Sequence, residues 1–183
     1  SIGTADGATL NRGEAITFES TESFQLTATQ PISVAQFMVG ASYPGSGYGC
    51  NPSTGAGCAV QDTNTCRLRP GDPLRDHRIG DPAFTVNVPT NQFRKEYVVY
   101  TPTDYYRYHL SVVHPSGATV NLDGSAINGT ANAVGSTGWE VTWVDVQPGT
   151  HTLTSSESFG LYSYGYDCFV SYAYPGGLNL QTN

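Results

Sequence analysis

Residues 80–124, GDPAFTVNVPTNQFRKEYVVYTPTDYYRYHLSVVHPSGATVNLDG, decide the fold class of this chain. Three runs alternate apolar with polar or small residues, at 83–88, 110–113 and 118–122. This period of two is expected of half-buried strands, because successive side chains point to opposite faces. In the first run it predicts that Phe84, Val86 and Val88 face a core. Asp123-Gly124 then supplies two residues that tolerate positive φ, as a type I′ hairpin turn requires. We therefore predict an all-β fold, a mostly antiparallel β-sandwich.

The composition agrees with one β-rich domain spanning residues 1–183. Charged residues make up 13% of the chain, and Gly (21) and Pro (11) are frequent, which is typical of an all-β protein with many turns. The net charge of −7 argues against nucleic acid as a partner, because such binding needs basic patches. No apolar run approaches the ~20 residues that span a bilayer, so we expect no membrane insertion.

Further strands are expected on both sides of the opening stretch. Alternation predicts strands at 15–19, 24–28 and 32–39, and again at 139–144, 151–154 and 162–166. Both faces of 32–39 are apolar, so this strand is expected to be buried on both sides at the centre of a sheet. Tyr162, Tyr164 and Tyr166 share one face of the last strand, where we expect them to pack.

Two segments, 7–40 and 117–177, resemble each other. Gly7-Ala8-Thr9-Leu10 matches Gly117-Ala118-Thr119-Val120, and later apolar residues follow at similar spacing. Two copies of one β unit would explain this, although any two strand–turn–strand segments share such a pattern. A true duplication would imply that the natural domain begins before Ser1.

The segment 40–82 is a long loop rich in Gly, Pro and Ser. It holds three of the four cysteines, which are Cys50, Cys58, Cys66 and Cys168. An even number of cysteines in such a chain predicts two disulfides and an oxidising, extracellular location. The simplest pairing joins Cys50 to Cys58 and Cys66 to Cys168, which is one of three possible connectivities.

Catalytic residues are not evident, and we predict none. No serine stands in a nucleophile elbow, and His109 and His114 are expected on opposite faces of one strand, where they cannot act as a pair. We expect no cofactor. Calcium is the alternative, because the long loop carries acidic oxygen ligands, although without EF-hand spacing. These candidate ligands are Asp62, Asp72, Asp76 and Asp81.

Tyrosine is the residue type that most suggests a binding surface. Tyr43 and Tyr48 lie in the long loop, and Tyr105 and Tyr106 lie in the break between two predicted strands. Exposed aromatic rings stack on sugars and anchor protein interfaces, because they bring a large contact area at low entropic cost. Packing within the sandwich is the alternative role for these rings.

Several motifs in order are similar to one known family. They are GDPAF (80–84), QFR (92–94), TP (101–102), PSGATVNLDG (115–124), YGY (164–166) and SYAYPGG (171–177). Together they resemble the IgG-Fc-binding protein N-terminal domain family, found in secreted mucin-like proteins and bacterial surface proteins. The resemblance implies an extracellular β-sandwich-like module of adhesive or matrix proteins, and it supplies no catalytic residues.

The function expected from these observations is non-enzymatic. We predict an extracellular adhesion or structural module, secreted or on a cell surface, that contacts protein or glycan. One alternative is a carbohydrate-binding module that uses the loop tyrosines. A second alternative is the subunit of an extracellular polymer, in which a neighbour's strand completes an open sheet edge through self-association.

Overall fold

The protein is all-β in the residues that its computed structural model describes, which are 6–38, 80–167 and 170–180. These residues contain ten strands and a single 3₁₀ turn at Thr90–Gln92, and every strand pairing is antiparallel. The predicted fold class is thus confirmed. The strands are β1 (Ala35–Phe37), β2 (Phe84–Val86), β3 (Arg94–Thr101), β4 (Arg107–Pro115), β5 (Val120–Leu122), β6 (Ser125–Ala126), β7 (Ala131–Ala133), β8 (Trp139–Asp145), β9 (Gly149–Asp167) and β10 (Val170–Pro175).

Strand β9 organises the larger sheet. It is 19 residues long, and eight strands including it form one curled sheet. Its first part pairs with β3 and β5, and β5 pairs with β6; we call these strands the β3 half. Its second part pairs with β4 and β10, and β8 and β7 follow β4; we call these strands the β4 half. One strand therefore belongs to both halves.

The core lies between the two halves. Tyr97 and Leu153 enter it from the β3 half, and Leu110 and Leu161 enter it from the β4 half. Burying large apolar side chains in this way is the main favourable term in folding. The sheet thus closes over a single core as a sandwich does. The buried cluster consists of Tyr97, Val99, Tyr108, Leu110, Val112, Val120, Val144, Val146, Leu153, Phe159 and Leu161.

A bend in β9 allows the strand to change partners. The register against β3 shifts between Arg94, opposite Phe159, and Glu96, opposite Thr154. Gly160 follows the bend, and a Cβ built on it would lie 2.4 Å from the ring of Phe93. Only glycine leaves room for that ring, so Phe93 is buried directly against the strand.

The predicted hairpin turn at Asp123-Gly124 is confirmed. The two residues have φ of 50° and 85°, and they join β5 to β6. Positive φ at both central residues is the requirement of a type I′ turn, which an Asp-Gly pair meets at little cost.

The prediction of strands at 15–19 and 24–28 was wrong. Residues 6–34, which we call the arm, form no strand, and most of them are exposed. Ile16, Phe18 and Leu26 are each only half-buried. Alternation shows that a segment can form a strand, but a strand also needs a neighbour to pair with, and the arm lies along no other strand of the described residues.

The prediction that the strand at 32–39 is buried on both sides was also wrong. Within the described residues it forms only β1, whose three residues are exposed, and β1 pairs with β2 alone. We call β1 and β2 the short sheet. The facing predicted for β2 is reversed, since Thr85 is buried while Phe84 and Val86 are exposed. The reversal arises because β2 lies on top of the β4 half. Thr85 faces that half, and the side chains of Phe84 and Val86 face solvent.

The short sheet lies on the outer face of the β4 half. The N–H of Val88 donates to the hydroxyl of Tyr162 over 2.8 Å. Tyr162 points away from the core, because its neighbour Leu161 points into the core and successive side chains alternate. The outer face of the β3 half is therefore on the opposite side of the molecule.

Some predictions concern residues that the structure does not describe. All four cysteines and nearly all of the long loop 40–82 fall in this category, so the two disulfides stay a prediction. The duplication of 7–40 and 117–177 and the domain boundaries also stay predictions.

We expect Gly160→Ala to destabilise the protein by about 1–3 kcal/mol, because the added methyl group would overlap the ring of Phe93. Urea unfolding followed by fluorescence measures this change. Ser156→Ala, at an exposed position of the same strand, is the control and should change the free energy of unfolding little. Equal effects of the two substitutions would contradict this role of Gly160.

Candidate binding surfaces

The outward face of the short sheet is an exposed apolar surface. Phe37 and Phe84 are directly opposite one another, and their ring centroids are 5.1 Å apart. Phe37 is 68% exposed, Phe84 55% and Val86 46%. Val86 lies opposite Ala35 on the same face. Clustered apolar side chains of this kind usually mark a surface that contacts another molecule.

Backbone hydrogen bonds fix this surface in place. Within the short sheet and its ends, the N–H of Met38 donates to Ala83 and the N–H of Asn87 donates to Val34, each over 2.8 Å. Asp81 N–H donates to the hydroxyl of Ser171 on β10, over 2.9 Å. The apolar face is thus presented on a strand pair bonded to the β4 half, where its geometry is preorganised for contact.

A cleft lies where the loops after β3 and β8 cross between the halves. Its volume is about 510 Å³. At its wall the ring of His109 lies 2.6 Å from the carboxylate of Asp145, and the guanidinium of Arg107 lies 5.5 Å from the ring centroid of Tyr106. An aromatic ring beside charged and amide side chains is suited to a polar ligand. The lining residues are Tyr106, Arg107, Tyr108, His109, Asp145, Val146 and Gln147.

A second histidine holds the loop that carries Gln147. The ring of His151 lies 2.7 Å from the carboxylate of Asp123 on one side and 2.7 Å from the carbonyl oxygen of Gln147 on the other. The N–H of Thr152 also donates to Asp123, over 2.8 Å. The hydrogen bond with His151, followed by that from Thr152, lowers the pKa of Asp123. His151 therefore ties the loop at Gln147 to the turn at Asp123.

The structure separates the tyrosines proposed as binding residues. Tyr106 lines the cleft. Tyr105 packs edge-on against Tyr172, with ring centroids 4.7 Å apart, and against the core cluster. Tyr43 and Tyr48 lie outside the described residues. That these tyrosines bind a ligand stays a prediction.

The three tyrosines at 162–166 of β9 pack, as predicted. Burial raises the pKa of Tyr162, Tyr164 and Tyr166, so their hydroxyls stay protonated under ordinary conditions. His109 and His114 are on opposite faces of β4, also as predicted: His109 contacts Asp145, whereas His114 is buried and its ring lies 2.9 Å from the hydroxyl of Thr142.

Most of the candidate calcium ligands are not among the described residues. Asp62, Asp72 and Asp76 lie outside the described residues, and Asp81 is exposed. Among the residues that are described, no three His, Cys, Asp or Glu side chains come together as metal ligands would. Calcium binding by the long loop stays a prediction.

Sequence reasoning missed the apolar face and most of the cleft. Alternation made Phe84 and Val86 look buried, because it cannot distinguish a face covered by the core from one presented outward. The signal that could have found this surface was the apolar character of both faces of 32–39. Asp145 and Gln147 carried no signal, since only the crossing of two loops brings them beside Tyr106.

Comparison with known proteins identifies the family. A family model described as IgGFc binding protein matches residues 3–165, which is most of the chain. The chain belongs to this family. The resemblance inferred from its motifs is confirmed, and the family is one of extracellular binding domains and not of enzymes. No curated protein and no solved structure matches the chain. The described residues also contain no helix of the length and apolar character needed to cross a membrane.

We expect Asp123→Asn to reduce the free energy of unfolding by less than about 1 kcal/mol near pH 5, because a half-exposed carboxylate is screened by water. A carboxylate whose pKa is lowered by folding stabilises the fold above its unfolded pKa of about 4. That contribution is lost as pH falls through the folded pKa. The difference between wild type and variant should therefore shrink toward pH ~2.

Urea unfolding at a series of pH values checks this expectation. Asp104→Asn, at an exposed loop position, is the control and should change the free energy of unfolding little. A stability difference for Asp123→Asn that persists unchanged at the lowest pH would contradict the assignment.

Proposed function

We propose that this protein is a non-enzymatic extracellular adhesion module that binds a protein partner through the outward face of the short sheet. The observation that carries the proposal is the exposure of Phe37, Phe84 and Val86 together on one strand pair. Aromatic side chains at the centre of an interface contribute much of its binding energy, because they desolvate a large area.

Family membership supports a protein partner. The family's description names the Fc part of IgG, so Fc is the first partner to test. The apolar face suits such a partner, since a folded protein can cover two neighbouring rings at once. The low fraction of charged residues, 13%, is also consistent with a surface that works by apolar contact.

We expect the double variant Phe37→Thr, Phe84→Thr to weaken partner binding at least ~10-fold, because interface aromatics commonly carry over 1 kcal/mol each. Threonine keeps the preference for a strand, so the short sheet should persist. Surface plasmon resonance against a panel of extracellular proteins, with IgG Fc first, measures the effect. Tyr100→Thr replaces an aromatic residue that is 55% exposed on the other side of the molecule and should leave affinity unchanged. Equal affinity of the double variant and wild type would contradict the proposal.

A second candidate function, glycan binding, is favoured by the cleft. Tyr106 offers a ring for a sugar to stack on, and the carboxylate of Asp145 and the amide of Gln147 offer hydrogen bonds. These are the groups that a pyranose ring needs from its site. The adhesion role would be the same, with a glycosylated surface as the target.

We expect Tyr106→Ala to abolish any binding on a glycan array, since the stacking surface would be lost. Asp104→Ala, two residues away at an exposed position, should keep it. Wild-type protein that binds no glycan would remove this candidate and leave the protein-binding proposal standing.

A further inference from the structure

The arm, residues 6–34, carries the sequence of a strand but has none. Ile16 alternates with Thr17 and Phe18, and Phe24 alternates with Gln25 and Leu26, yet no residue of the arm belongs to a sheet. Within the arm Phe18 packs against Phe24 with ring centroids 5.3 Å apart, and at its end the carbonyl of Val34 accepts from the N–H of Asn87. A segment of this kind gains hydrogen bonds and apolar cover as soon as it meets an open sheet edge.

The β3 half provides such an edge. In the described part of the chain β3 pairs only with β9. Both backbone groups of Thr152 on β9 are used on the β5 side, since its N–H donates to Asp123 and its carbonyl accepts from Asp123 N–H. Because strand residues alternate in the direction of their backbone groups, the neighbouring residues of β9 are the ones that bond to β3.

The register of β3 against β9 shows which backbone groups of β3 do not bond to β9. Leu153 lies opposite Tyr97 and His151 lies opposite Val99, so these β3 residues form the ladder with β9. Glu96, Val98 and Tyr100 consequently direct their backbone groups away from it. Tyr174 supports this assignment, because its hydroxyl donates to the carbonyl of Tyr100. Within the described ranges, the backbone groups of Glu96 and Val98 face no other strand.

We propose that the arm of one molecule pairs as an added strand with the β3 edge of a second copy of this chain. Val98 is 62% exposed and Tyr100 55% exposed, so each could pack against an alternate residue of the arm such as Ile16 or Phe18. Addition of a strand to an exposed edge is a common mode of recognition, in which the backbone supplies affinity and alternate side chains supply specificity.

Charge complementarity favours this pairing. The edge begins with Arg94 and Lys95, both exposed. The arm carries the exposed carboxylates of Glu14 and Glu22 on either side of the Ile16–Phe18 run. Opposite charges across neighbouring strands stabilise their pairing and select the correct partner strand.

The structure of the single molecule favours a second copy as the partner. The arm leads directly into β1, and the short sheet is bound on the outer face of the β4 half. Sixteen residues separate Phe18 from β1 and could span about 50 Å when extended, so the length of the arm does not prevent contact with its own edge. In the single molecule the arm nevertheless pairs with no strand of the described residues, its own β3 edge included.

The test uses two single variants of the full chain. Val98→Pro removes an N–H that faces outward and keeps the bonds of β3 to β9, because proline is tolerated on the solvent side of an edge strand. Thr17→Pro disrupts strand pairing by the arm, and it does not touch the core. Val98→Thr, which keeps the size and strand preference of valine, and Thr17→Ala are the matched controls.

Sedimentation velocity over a concentration series is the measurement. Wild type and both controls should associate with increasing concentration, and each proline variant alone should associate at least ~10-fold more weakly, since it lacks one of the two pairing partners. A mixture of the two proline variants should form a one-to-one complex, because the first keeps an intact arm and the second keeps an intact edge.

Three outcomes would overturn the proposal. Wild-type protein could stay monomeric at every concentration, which would indicate that the arm pairs with its own molecule or not at all. The proline variants could associate as strongly as their controls. The mixture could stay monomeric although each control associates. None of these results bears on Phe37 or Phe84, so the proposed binding function is tested separately.

Discussion

The change of partners along β9 is the constraint on which the sandwich depends. The four residues of this strand between Ser155 and Gly160 pair with neither β5 nor β4. Its ladder with β3 is also broken there, between Thr154 and Phe159, and backbone groups without ladder partners are costly when shielded from water. The hydroxyl of Tyr97 fills part of this gap, since it donates to the carbonyl of Phe159 over 2.6 Å and accepts from the N–H of Arg94 over 2.9 Å.

The same bend brings the core together. Burial raises the pKa of Tyr97, so its hydroxyl keeps the proton that the bond to Phe159 requires. The ring of Phe159 lies edge-on to that of Tyr97, with centroids 4.9 Å apart, and is fully buried. On the other face of the strand Gly160 admits Phe93. Side chains thus replace the missing ladder at the point where the sheet curls, and the two halves can then share one core.

The sequence predicted correctly those strands in which several local sequence signals agree. In β4 and in the β5–β6 hairpin, alternation, strand propensity and turn residues all agreed, so their faces and the turn at Asp123 were predicted correctly. The continuity of β9 was not predicted. Its middle is exposed at Thr154, Ser156 and Glu157, so the alternation was interpreted as two separate strands.

The candidate binding surfaces were less predictable, because the exposure of a strand face depends on what covers it. Tyr106 was predicted from its type and its place in a loop. Phe37 and Phe84 were missed because the alternation of an apolar face is the same whether a core or a partner covers it. The opposite error was made for the arm. Its alternation was taken to show that it forms a strand, whereas alternation shows only that the segment can pair with a neighbouring strand.

The two unsatisfied surfaces in the described part of this molecule are of different kinds and are formed by different strands. The β3 edge presents backbone groups at Glu96 and Val98, whereas the short sheet presents apolar rings at Phe37 and Phe84. Association through the edge would therefore leave the rings free. An assembly built in this way would display one apolar face per molecule, and several weak contacts made together hold far more tightly than any one of them alone. An adhesive protein gains most from that arrangement, because each copy can bind weakly and reversibly while the assembly stays attached.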